Sequence, residues 1–155
     1  LQNCLRERKG IDKQYLALVD GFWPEKCKMV SAALLKMTLQ SGERMVNVTP
    51  EGKKSATRFK VVKRFADATL IQASPITGRT HQIRVHAQHA GCPLLGDEKY
   101  GKPESNRLFK QRGLKRLFLH AESLRFCLPD SDEQLEVKAP LEPSLAKLLT
   151  ALKKL

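Results

Sequence analysis

The chain has 155 residues, 41% of them hydrophobic, enough for one domain with a buried core. Its 28 lysines and arginines outnumber 16 acidic residues, a formal charge of +12 that favours a polyanionic partner, because each cation placed on a phosphate releases counterions. No apolar run approaches the roughly 18 residues of a bilayer crossing, which argues against a membrane partner. The cysteines (Cys4, Cys27, Cys92 and Cys127) form no C-x-x-C pair, so reduced thiols in a cytoplasmic protein are expected.

Residues 1–9 carry the pattern of a helix end, with Gly10 as its stop. QYLALVDG (14–21) alternates and ends in Asp-Gly, a strand running into a turn. Residues 22–57 show no sustained period, although AALLKMTL within them fits one or two helical turns. RFKVVKRF (58–65) and ATLIQAS (68–74) read as an antiparallel pair divided at Ala66-Asp67. Pro75 and Thr77-Gly78 break the second strand. Thr80 is placed to cap a helix reaching about Ala90, which Gly91 and Cys92-Pro93 stop. Residues 95–116, mixing Gly, Pro, Asn and charges, read as a surface loop. RLFLHAESLRFCLP (116–129) and QLEVKAP (134–140) alternate around Pro129-Asp130-Ser131-Asp132, a hairpin. In PSLAKLLTALKKL, Leu145, Leu148, Leu149, Leu152 and Leu155 recur at helical spacing, as a terminal helix packed on a sheet would require. Together these predict an α+β fold, its mixed, mostly antiparallel sheet flanked by helices and loops.

The chemistry concentrates in TGRTHQIRVHAQHAGCP (77–93), which holds three of the four histidines, two arginines and a cysteine. As a metal site the stretch is poorly spaced. His86 and His89 share a helical face, but His81 lies about 140° away from His86, and Cys92 follows the helix stop. Zinc ligands normally converge in pairs, so no metal is expected. Without G-x-S-x-G, Walker or G-x-G-x-x-G patterns, a serine hydrolase and a nucleotide cofactor lack support. On the predicted helix, Ile83, His86, Ala87 and Ala90 form a face that reads as core, with His86 a packing histidine. His81, Arg84, Val85 and Gln88 form the other. With Arg79 at the helix start, that face sets two guanidiniums near amides able to hold a phosphate or carboxylate. On these residues alone, a solvated charged face remains open.

SPITGRTHQIRVHAQHAGCPLLGDEKYG (74–101) closely resembles the signature of the RluA family of RNA pseudouridine synthases. QYLALVDG, KKSATRFKVV (53–62) and RLFLHAESLRFCLP resemble further family stretches in the same order. LLKMTLQSGERMV and LRERKGIDKQYLALV look most like the RluC type, which modifies large-subunit ribosomal RNA. The resemblance implies the pseudouridine synthase fold and cofactor-free isomerisation of uridine, by a monomer in the cytoplasm. It also implies roles. Arg84 matches the arginine that pairs with a nucleophilic aspartate, and Tyr15 the tyrosine that packs on the target base and helps remove its C5 proton. Leu119 matches a pocket-lining leucine, while Arg79 and His81 fit RNA contact.

One element of the family pattern has no counterpart here. The nucleophile sits in a stretch like HRLD-x-x-TSG, and none of the six aspartates (Asp12, Asp20, Asp67, Asp97, Asp130 and Asp132) has that context. The expectation is that residues 1–155 are the larger, C-terminal part of one catalytic domain. The aspartate-bearing segment and an N-terminal RNA-binding domain would then lie outside it. The alternative is a catalytically inactive RNA-binding module of the same fold.

Overall fold

The computed structural model describes residues 11–127 and 133–152. The strands are β1 (Ile11–Asp20), β2 (Met29–Ser31), β3 (Leu34–Thr38), β4 (Arg44–Val48), β5 (Ala56–Arg64), β6 (Ala68–Pro75), β7 (Leu119–Cys127) and β8 (Gln134–Lys138). The helices are α1 (Gln82–His89), α2 (Pro103–Gln111) and α3 (Pro143–Ala151). Six strands form one sheet in the order β2-β5-β6-β1-β7-β8, and β3 and β4 form a separate hairpin. Every strand pairing among the described residues is antiparallel. The α+β architecture read from the sequence is the one observed.

The central strands are apolar on both faces because both faces are covered. Ala17, Val19, Ile71 and Ala73 pack with Ile83 and Ala87 of α1. Leu18 and Leu70 face the other way, into a cluster with Phe109 of α2, Phe118, and Leu145 and Leu148 of α3. Leu152 joins this second cluster and Leu149 packs against it, as the terminal leucine spacing predicted. Phe109 is 1% exposed and is the one buried residue of α2. Its burial, worth roughly 2–3 kcal/mol, holds that helix down.

Four local expectations are corrected. AALLKMTL is not helical: Leu34–Thr38 is a strand paired with β4. Leu34 and Val46 bury against Val85 and Tyr100, and packing overrides the weak helical preference of the segment. Residues 95–116 are not all loop, since they contain α2, which has Pro103 in its first turn. Thr80 does not cap α1; the N-cap is His81, with no side-chain cap hydrogen bond. Val85 belongs to the core beneath the β3–β4 hairpin and not to an open charged face. The expected helix over residues 1–9, the turn at 129–132 and Leu155 lie outside the described residues.

Candidate active site

The break after β6 aims the site. Thr77 Oγ1 accepts the Ala56 amide at 3.2 Å and donates to Gln82 Oε1 at 2.6 Å. Gln82 Oε1 also accepts the Arg79 amide at 3.0 Å. Gln82 Nε2 in turn donates to the Ala56 carbonyl and to Thr57 Oγ1, both at 2.8 Å. One buried amide thus fastens the loop 77–81 to β5. Thr57 Oγ1 then meets His86 Nδ1 at 2.8 Å, while His86 Nε2 reaches the Ala32 carbonyl at 3.1 Å. A carbonyl can only accept, so Nε2 carries the proton and Nδ1 accepts from Thr57. His86 is the packing histidine the helical pattern predicted.

His81 is different. Its φ of 54° puts a non-glycine residue in the left-handed region, at a cost of about 1–3 kcal/mol. Its Nδ1 lies 2.7 Å from Tyr100 Oη, which already accepts the Val46 amide at 3.0 Å. Burial raises the Tyr100 pKa, so the phenol keeps its proton and donates it to Nδ1. Burial, then the positive charge of Arg84 and Lys99, lowers the His81 pKa. The imidazole is therefore neutral near pH 7, with its proton on Nε2.

Arg84 is gripped by Asp97, with Nε to Oδ2 and Nη2 to Oδ1 both at 2.9 Å. The Asp97 carboxylate is fully buried, and its Oδ1 also accepts the Lys99 and Tyr100 amides at 3.0 Å. Burial alone would raise the Asp97 pKa. The Arg84 hydrogen bond, the two amides and the Arg84 charge outweigh it, so the carboxyl titrates below its ordinary value. Hydrogen bonding to Asp97 likewise raises Arg84. Of five guanidinium N–H groups, two are committed to Asp97, and no other Arg84 hydrogen bond occurs among the described residues. The remainder are available to a second anion.

These side chains share one cleft of about 370 Å³, lined by Tyr15, Arg79, His81, Arg84 and Leu119 together with Lys13 and Leu117. All five residues singled out in the sequence converge there from β1, the 77–81 loop, α1 and β7. A register shift in the β1–β7 pairing at Gln14/Tyr15 falls beside the cleft and re-aims the strand at Tyr15. Arg79 sits exposed at the rim, its Nε donating to the Lys54 carbonyl at 3.2 Å. The histidines and Cys92 of the cluster do not converge. His81 bonds Tyr100, His86 bonds Thr57 and Ala32, and the Cys92 thiol points to the Phe22 carbonyl.

Residues 1–89 match the RNA pseudouridylate synthase family. The chain belongs to that family. It is 53% identical over 146 residues to the ribosomal large subunit pseudouridine synthase C of Yersinia pestis, covering 94% of this chain and 46% of that protein. Against the protein of the same name from Escherichia coli K12 it is 52% identical over 155 residues, 99% of this chain and 48% of the relative. The chain therefore spans about half the length of the curated relatives it matches. Among solved structures, human RNA pseudouridylate synthase domain containing 1 superposes with a TM-score of 0.76 at 28% identity, over 99% of this chain and 63% of that one. The similarity is to the RluC type, as the sequence suggested.

Sequence reasoning missed Gln82, Asp97 and Tyr100 as parts of the site. Gln82 and Tyr100 lie inside the quoted signature, but nothing local marks them as polar groups buried on loop and imidazole. Asp97 was considered only as a substitute nucleophile, for which its full burial and its engagement with Arg84 make it unsuited.

Proposed function

We propose that this chain is the catalytic body of an RNA pseudouridine synthase that acts, in the cytoplasm, on uridines of large-subunit ribosomal RNA. The observation that carries the reading is the convergence of Tyr15, Arg84 and Leu119 on one cleft whose arginine keeps uncommitted N–H groups. A uridine cannot be reached inside a stack, so it flips into the cleft. Leu119 and Tyr15 flank the base, and Arg84 holds a nucleophilic carboxylate ionised and aimed. That carboxylate attacks C1′ as the N1–C1′ bond breaks, and the uracil turns. C5 then bonds to C1′ as the carboxylate is released, and the C5 proton leaves with help from Tyr15 while N1 takes up a proton. Atoms balance without cofactor or metal.

None of the aspartates in the described residues suits the role of nucleophile. Asp12 faces Arg125, Asp20 faces Lys102 and Ser105, and Asp67 faces Arg112. Asp97 is buried against Arg84. We place the nucleophile in sequence beyond these 155 residues, consistent with relatives about twice as long.

The test is conversion of uridine to pseudouridine in purified large-subunit ribosomal RNA by the full-length protein, read by nucleoside chromatography, with small-subunit RNA alongside. Conversion confined to large-subunit RNA is the expected result. Binding without conversion of either RNA would leave an inactive RNA-binding module.

A further inference from the structure

A second cleft opens on the other side of Arg84. At about 710 Å³ it is nearly twice the size of the first, and Arg84 and Leu117 line both, so the two clefts adjoin at the guanidinium. One wall is α2, whose Pro103, Asn106, Arg107 and Lys110 all face the cleft. Spacings of three, four and seven place them on one helical stripe. Lys115 lines the cleft as well. Arg107, Lys110 and Lys115 are exposed, and no hydrogen bond or ion pair engages their side chains among the described residues. By contrast, Arg116 is paired with Glu142, Lys99 donates to the Arg44 carbonyl, and Asp97 is held by Arg84. Only Glu98 brings a carboxylate not already engaged with a cation of the site. Three cations are then left facing one acid across a groove.

The helix carrying these cations is built onto the segment that fixes Arg84. Asn106 Nδ2 donates to the Asp97 carbonyl at 2.8 Å, and its Oδ1 accepts the Gly96 amide at 2.9 Å. Gly96 has φ 83°, and a Cβ there would lie 2.2 Å from the Arg116 carbonyl oxygen. The approach of the two walls therefore depends on glycine. The basic stripe sits at a fixed distance from the active-site arginine.

The chemistry of the groove restricts its ligand. No aromatic ring lines it among the described residues, so bases have nothing to stack on. Its unpaired groups are donors with full positive charge, suited to a phosphate backbone. Resting on the reading that a uridine enters the first cleft, we propose that the single RNA strand next to the flipped nucleotide runs through this groove, its phosphates held by Arg107, Lys110 and Lys115. The groove then sets affinity and register without reading sequence, while the first cleft selects the base.

The experiment replaces Arg107, Lys110 and Lys115 together with glutamine in the full-length protein, with Lys147→Gln on α3 as a control outside both clefts. Binding of labelled oligouridylate, oligoadenylate and an RNA duplex is followed from low to moderate salt. Each lost phosphate contact on a single strand removes ~0.7 from the slope of log K against log[salt]. The triple variant should therefore lose about 2 from that slope and bind roughly tenfold more weakly, equally on both single strands. Lys147→Gln should bind like wild type. Wild-type slope in the triple variant, the same loss in Lys147→Gln, or a loss confined to oligouridylate or to duplex would each overturn the proposal. Because binding is read without turnover, an inactive wild type that shows the slope change would sink the isomerase reading and leave the groove standing.

Discussion

Arg84 and Asp97, thirteen residues apart, meet through two parallel hydrogen bonds of 2.9 Å, the arginine at a cleft wall and the carboxylate fully buried behind it. The geometry fixes the plane of the guanidinium, and the 5.0 Å approach of that group to the Tyr100 ring supports it from a second side. Asp97 is thus a positioning residue: it aims Arg84 without lining the cleft that holds Tyr15 and Leu119.

Removing that support has a measurable cost. Asp97→Ala leaves a partly buried guanidinium without its partner, and breaking such a pair costs about 3 kcal/mol, to be read by urea unfolding. The folded-state pKa of Asp97 is depressed, so its contribution is fully present above the unfolded value of about 3.9 and is lost as pH falls through the folded value. The gap between wild type and variant should accordingly be constant from pH 7 to about 4.5 and narrow below pH ~4. A gap that widens with acid would contradict the pairing.

His86 predicts a second pH dependence, in a different window. Burial lowers its pKa, opposed by the bond to the Ala32 carbonyl and aided by His89. His81 is lowered in the same direction. The unfolded chain then binds more protons than the folded one around pH 6, so stability rises with pH there. It is full above about pH 6.5 and declines on acidification below that value. Unfolding free energy should be level from pH 7.5 to about 6.5 and fall from there to about pH 5.5. A flat or rising profile would place the protons elsewhere.

Tyr15 separates packing from chemistry. In the proposed reaction, Tyr15→Phe keeps the ring beside the target base and removes the hydroxyl. Loss of a proton acceptor costs about a hundredfold or more in turnover, so kcat should fall by that order with a much smaller change in KM. A loss carried mainly by KM would make Tyr15 a binding residue.

The sequence revealed the frame of the site more readily than its supports. β1, β5 and β6 were legible because alternation and the breaks at Asp20-Gly21 and Ala66-Asp67 are local signals. The β3–β4 hairpin was not. Ala33, Leu34, Leu35, Lys36 and Met37 are good helix formers, and the strand exists because Leu34 and Val46 dock on Val85 and Tyr100. The reversal is at Gly42, with φ 88° and its amide on the Leu39 carbonyl. α2 escaped notice because Phe109 is its one buried residue, too little apolar period to see among charges. Arg84 stood out on its helical face, while its role, Tyr15 and Leu119 came through resemblance. Gln82, Asp97 and Tyr100 act through contacts between segments distant in the chain, which no spacing rule exposes.

The most direct test of the account is tritium release from ribosomal RNA labelled at C5 of uridine, because release accompanies formation of the new carbon–carbon bond. The full-length protein should release tritium, while Arg84→Ala and the charge-preserving Arg84→Lys fall by at least about a hundredfold, both still binding RNA. Release by Arg84→Ala close to wild type would contradict the role of this cleft.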